Sequence, residues 1–278
     1  MPASFERFSH EAMATSFDVF IAGHPKAYAR QAAEEVFLEL DRLESELSRY
    51  VESSDISRAN RLPRDGSTII GEDALRCLLI SAEISAATDR AFDPAYASRR
   101  GPDDKPDDPL YALDPQSHTL ISLVERLHLD LGAVGKGYAL DCMMERLREW
   151  DITTACVQSG GSTVLAMDPP PGNRGWPVGL GEPPAYRSFP LMRRALSGSG
   201  LAVKGSHLID VKSGAPASRT QRTWAFAPTA AVADALSTAF FVMTDDQIRE
   251  YCRTHADIGA AIATADARIE VCGLVPFE

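Results

Sequence analysis

The residues best suited to do chemistry sit in a few short stretches. In Asp130-Leu131-Gly132-Ala133-Val134-Gly135-Lys136-Gly137-Tyr138-Ala139-Leu140-Asp141, three glycines flank one lysine where an apolar run gives way to a helical pattern. Small residues leave backbone amides open to an anion, and a helix N-terminus adds partial positive charge, so Lys136 marks a candidate phosphate site. The spacing is neither that of a P-loop nor that of a dinucleotide-binding fingerprint, and the glycines alone read equally well as turn geometry. Asp234 and Thr238 are four residues apart in an apolar helical stretch. That spacing puts a carboxylate and a hydroxyl on one helix face, a pair suited to a hard cation such as Mg²⁺. The plain alternative is a salt-bridging Asp and a Thr bonded back to its own helix. Gly160-Gly161 closes a strand-like run and lets backbone approach a ligand, or makes an ordinary hairpin turn. His207 and Asp210 place an imidazole and a carboxylate beside a Ser213-Gly214 turn, where His is a candidate general base. Met13 and Tyr50 are of the types that sandwich a flat ring, or else pack a core.

These residues need a scaffold. The 278-residue chain is long enough for a full core, with 45% hydrophobic and 24% charged residues. Phe17 to Ile21, Leu127 to Leu131, Thr154 to Gln158 and Thr223 to Ala227 read as strands. Ile258 to Ala263 and Ile269 to Leu274 read as a closing antiparallel pair. Helical spacing runs through Tyr28, Ala32, Val36, Leu40, Leu43 and Leu47, and again over Asp55 to Asn60, Asp73 to Thr88, Gly132 to Trp150 and Ala231 to Met243. Residues 97–116 are rich in Pro, Asp and Arg without an apolar period, which predicts a loop insertion. The irregular mixture predicts an α+β fold with mixed sheets flanked by helices, in one unit over 1–278.

The formal net charge of -11 argues against a nucleic-acid surface. It also means that any phosphate ligand needs a local cation. Five scattered cysteines without paired spacing argue against structural zinc or a disulfide framework. The N-terminal residues show neither a signal-peptide pattern nor a membrane span, which leads to the expectation of a cytoplasmic protein without membrane insertion.

Taken in order, the stretches resemble the ApbE family, the Mg²⁺-dependent FAD:protein FMN transferases. The matching pieces are Met13-Ala14-Thr15, Ser48-Arg49-Tyr50, Ser54 to Asn60, Ala91-Phe92-Asp93-Pro94, Asp130 to Asp141, Gly160-Gly161, His207 to Gly214 and Ala233 to Thr238. The resemblance implies a fold with an FAD site in a central cleft, and transfer of FMN from FAD to a Thr or Ser hydroxyl of an acceptor protein, releasing AMP. It implies Mg²⁺ on Asp234, Thr238 and the Ala133 carbonyl, Lys136 near the diphosphate, and Asp141 at the adenosine end. Met13 and Tyr50 would contact flat rings of FAD, and His207 with Asp210 would activate the acceptor hydroxyl. The segment before His207 is shorter than in most of the family, and Asp210-Val211-Lys212-Ser213-Gly214 departs from its usual pattern. The departures fall on the acceptor side. They leave open an FAD pyrophosphatase giving FMN and AMP, or a non-catalytic FAD-binding protein.

Overall fold

The computed structural model describes residues 5–105, 107–181, 183, 186–200, 222–264, 266 and 268–276. Its centre is an antiparallel sheet of eight strands in the order β1-β2-β6-β7-β10-β11-β12-β13. These are β1 (Phe5–Ala12), β2 (Thr15–Ala22), β6 (Ala155–Ser159), β7 (Thr163–Ala166), β10 (Arg194–Ser199), β11 (Thr223–Ala227), β12 (Gly259–Ala263) and β13 (Ile269–Gly273). A small sheet pairs β3 (Ser67–Ile69), β5 (Thr119–Ser122) and β4 (Tyr111–Asp114), and β8 (Trp176–Leu180) pairs with β9 (Arg187–Leu191). The helices are α1 (Lys26–Leu47), α2 (Asp55–Ala59), α3 (Glu72–Ala87), α4 (Gly135–Glu149), α5 (Ala230–Val242) and α6 (Asp245–Thr254).

Side chains alternate across a strand, so each central strand feeds two cores. Val157, Leu165, Ala195 and Ala225 face the helices in one cluster, with Ala139 and Met143 of α4 and Leu236 and Phe240 of α5. Their neighbours Cys156, Ala166, Leu196 and Phe226 face the opposite way, packed with Trp176, Phe189 and Leu191 of the β8–β9 hairpin. Helix α5 is buried nearly all round, from Ala230 to Phe241. A helix apolar on every side belongs inside the protein.

The fold is of the expected α+β class, with two local differences. Leu127 to Leu131 is not a strand: its alternation is real, with the three leucines buried, but no strand pairs with it. Its backbone is satisfied instead by Asn60, which accepts from the Leu129 amide and donates to the Leu129 carbonyl, and by the Pro94 carbonyl, which accepts from the Asp130 amide. The predicted loop at 97–116 contains β4 and an isolated bridge from Arg99 to Arg126. The five cysteines are free thiols.

Candidate functional site

The glycine-lysine stretch folds into a turn and the start of α4. Leu131 carbonyl accepts from the amides of Val134 and Gly135, and Asp130 Oδ1 accepts from the Gly132 amide at 2.8 Å. Gly137 sits where α4 meets the start of α5. A Cβ there would lie 2.2 Å from the Ala230 carbonyl oxygen and 2.8 Å from the Ala231 nitrogen. The glycine is therefore required for packing, and its amide donates to Asp234 Oδ2 at 3.2 Å. The amides of Gly132, Gly135 and Gly137 are all engaged within the protein. This corrects the expectation that these glycines leave their amides facing an anion.

Asp141, one turn further along α4, accepts from the amides of Ala230 at 2.7 Å and Ala231 at 2.8 Å. These are the first amides of α5, which a carboxylate satisfies well because of the helix dipole. Burial pushes the Asp141 carboxyl up to about 6, against the pull of the two amides. Its place in the structure is thus at the joint between two helices. Thr229 adds a further cap, accepting from the Val232 amide. Tyr138 O–H donates to Asp73 Oδ1 at 2.6 Å and ties α4 to α3.

Asp234 is fully buried within α5. A buried carboxylate needs partners, and it has Gly137 N–H, Ser197 Oγ donating to Oδ1 at 3.2 Å, and Lys136 Nζ at 4.0 Å from Oδ2. Thr238 lies one helical turn away, its Oγ1 3.4 Å from Ser199 Oγ. Ser199 also meets Ser237 Oγ at 2.9 Å, and Ser197 meets Thr163 at 2.9 Å. The result is a buried patch of hydroxyl oxygens from β7, β10 and α5 around one carboxylate. Among the described residues no group of three or more His, Cys, Asp or Glu side chains gathers as a metal cage. The donor set at Asp234 is instead one carboxylate with hydroxyls. Hard oxygens of this kind fit Mg²⁺, which takes few carboxylates and leaves positions for water and phosphate.

Lys136 links this patch to a cavity of about 330 Å³ lined by Met13, Ser48, Arg49, Tyr50, Asp130, Gly132 and Lys136, among others. Its ammonium also donates to the Gly132 carbonyl. Met13, Tyr50 and Lys136, named from sequence as ring and phosphate contacts, thus share one cavity. Ala133 lies in the turn just before α4. Met13 and Ala14 form the two-residue β1–β2 turn with φ of 49° and 58°. Side chains other than glycine rarely adopt this conformation, and such strain concentrates at functional sites.

Gly160 and Gly161 form the β6–β7 turn with φ of 52° and 67°. A Cβ on Gly160 would strike Thr15 Oγ1 at 2.3 Å, so the two hairpin turns lie against each other. Gly161 lines a different cavity, of about 340 Å³, with Gln158, Trp176, Leu196 and Trp224. His207 and Asp210 lie outside the described residues. Two residues with no expected role of their own support the site: Arg49 lines the cavity beside Tyr50, and Asn60 holds the backbone of Leu129, next to the cavity-lining Asp130. Their signal was adjacency, Arg49 to Tyr50 and Asn60 to the end of a capped short helix.

The family whose sequence model matches the chain is the ApbE family, over residues 13–262. A FAD:protein FMN transferase of Haemophilus influenzae is 22% identical over 267 residues, covering 82% of this chain and 77% of the relative. The solved flavin transferase ApbE of Vibrio cholerae superposes with a TM-score of 0.83 at 19% identity, covering 97% of each chain. The apo flavinyl transferase ApbE of Pseudomonas stutzeri gives 0.81 at 21% identity, covering 97% of this chain and 95% of that one. The match of motifs, of fold and of family model over nearly the whole length has one meaning: this chain is a member of the ApbE family, a family of flavin-transferring enzymes.

Proposed function

We propose that the protein moves the FMN half of FAD onto a Thr or Ser hydroxyl of an acceptor protein, with Mg²⁺, releasing AMP. The observation that carries this reading is the position of Lys136. It lines the cavity shared with Met13 and Tyr50, and its ammonium is 4.0 Å from the buried Asp234 carboxylate. A ligand with a flat ring and a diphosphate matches that combination of apolar wall, cation and hard oxygens. The named activity of the Haemophilus influenzae relative supports it.

In this reading Met13 and Tyr50 flank a ring of FAD, and Lys136 turns from Asp234 towards the diphosphate. Asp234, Thr238 and the Ala133 carbonyl hold Mg²⁺, which when bound neutralises charge on the phosphates and acts as a Lewis acid. Gly137 N–H and Ser197 Oγ keep the Asp234 carboxylate oriented. Asp141 acts at one remove, fixing the start of α5 and so the place of Asp234. His207, together with Asp210, activates the acceptor hydroxyl by taking its proton. The hydroxyl oxygen then bonds to the FMN phosphorus, the bond from that phosphorus to the bridging oxygen breaks, and AMP leaves with the bridging oxygen. Attack on a diphosphate depends mainly on positioning and charge neutralisation, which suits a site with one lysine, one buried carboxylate and a cation.

The test is AMP release from FAD in the presence of Mg²⁺ and an acceptor protein, comparing the unaltered enzyme with Asp234→Ala. The reading expects release to be lost on chelation and in the variant. Undiminished release by Asp234→Ala would refute the assignment.

A further inference from the structure

Tyr50 is 80% exposed, yet its backbone and its ring are both restrained. The backbone beneath it is anchored to α2 and its cap: Ser54 Oγ donates to the Ser48 carbonyl at 2.7 Å, and Ser57 Oγ donates to the Arg49 carbonyl at 3.0 Å. The Tyr50 amide donates to Ser48 Oγ at 3.3 Å. Arg49 then fixes the ring itself. Its guanidinium carbon is 4.6 Å from the Tyr50 ring centroid, and Nη2 donates to the phenol oxygen at 2.6 Å. The other two guanidinium nitrogens have partners as well, Nε with Asp130 Oδ2 at 3.3 Å and Nη1 with His128 Nε2 at 3.4 Å. Asp130 is secured in turn by the Gly132 amide, and its neighbour Leu129 by Asn60. One face of the tyrosine ring is covered by a cation, and the ring borders the cavity that also contains Met13 and Lys136.

We propose that Arg49 is a positioning residue for substrate binding, clamping the Tyr50 ring as a preformed platform on which a flat heteroaromatic ring of the substrate stacks. The identity of that substrate as FAD rests on the transferase reading above. The geometry places the action of Arg49 through Tyr50: its guanidinium sits over that ring, and each of its three nitrogens already has a partner in Tyr50, Asp130 or His128. An exposed aromatic side chain loses conformational freedom when a ligand stacks on it; fixing it beforehand removes that loss. The stacked cation and the phenol hydrogen bond supply the restraint.

A double-mutant cycle on FAD affinity tests this, read by the change in flavin fluorescence on titrating FAD with protein. Arg49→Met keeps most of the side-chain volume and removes the charge and the donors. It should weaken FAD binding about fivefold, the scale of one exposed cation–π contact. Tyr50→Ala should weaken it more, and the double variant should be no weaker than Tyr50→Ala, because Arg49 has nothing left to position. Arg49→Lys, which retains a cation, should recover part of the loss, and Tyr50→Phe, which keeps the ring, should lose less than Tyr50→Ala. Losses that multiply in the double variant, or an Arg49→Met variant that binds as tightly as the original, would overturn the proposal while leaving the transferase reading intact. An unaltered protein that binds no FAD would overturn both. Thermal melts of every variant establish that affinities are compared between folded proteins.

Discussion

Gly137 donates its amide to Asp234 across the α4–α5 contact, and only the lack of a side chain at Gly137 lets the two helices come that close. The glycine after the lysine is thus a packing residue whose consequence is a placed carboxylate. Gly137→Ala would put a methyl group 2.2 Å from a backbone oxygen, with no flexible side chain to give way. The helices must separate, which should destabilise the protein by about 1–3 kcal/mol, the usual range for overpacking. Urea unfolding measures this directly. An unchanged midpoint would show that the interface yields more easily than its geometry implies.

Asp141 should give the protein a characteristic pH response. Its carboxyl is raised from 3.8 to about 6 in the folded protein. A group with a raised folded pKa binds its proton more tightly in the folded than in the unfolded state. Its contribution to stability is therefore complete below about pH 4 and declines as pH rises through about 6. Asp141→Asn removes the titration and keeps one acceptor for the α5 amides. Comparing urea midpoints of the two proteins at pH 4 and pH 7, the unaltered protein should lose more stability than the variant on going up. The reverse order would contradict the assignment of the raised carboxyl to this joint.

The strained β1–β2 turn separates stability from binding. Ala14 at φ 58° lines the same cavity with a single methyl group at most, so glycine there removes little of the wall. Ala14→Gly should stabilise the protein by about 1 kcal/mol, the size of the left-handed penalty less the entropy gained by the unfolded chain. Met13→Gly relieves similar strain at φ 49° but removes a wall of the cavity. It should leave the melting temperature unchanged or higher while weakening FAD binding. Equal FAD affinity in the two variants would take Met13 out of the site.

Much of this architecture was legible in the residues. The buried helix carrying Asp234, the closing β12–β13 pair, and strand β11 followed local pattern closely, because their apolar periods are strong. Several strands were not legible. In β1, alternate residues are only half-buried at the open edge of the sheet, so the apolar signal is thin. Leu127 to Leu131 failed in the opposite way: its alternation is that of a strand, but its hydrogen bonds go to the Asn60 side chain, the Ser98 hydroxyl and the Pro94 carbonyl. In the site, Met13, Tyr50 and Lys136, expected as ring and phosphate contacts, line one cavity. Residue types could not reveal that Asp141 spends both oxygens on the next helix, since those amides are 89 and 90 residues away in sequence. Nor could they show that the Arg49 guanidinium sits over the ring of its neighbour while Asp130 and His128, from a distant segment, contact it as well.

The central claim is that Asp234, Lys136 and the Met13–Tyr50 cavity form one site that moves FMN to a protein. The most direct measurement is an incubation of the protein with FAD, Mg²⁺ and a flavinylation-acceptor protein, followed by quantifying AMP and viewing covalent flavin fluorescence on a denaturing gel. The account predicts a fluorescent acceptor band, equimolar with AMP, that disappears with EDTA and in Asp234→Ala. Free FMN and AMP forming at the same rate without acceptor, and no fluorescent band with it, would contradict the claim and identify the site as a hydrolase.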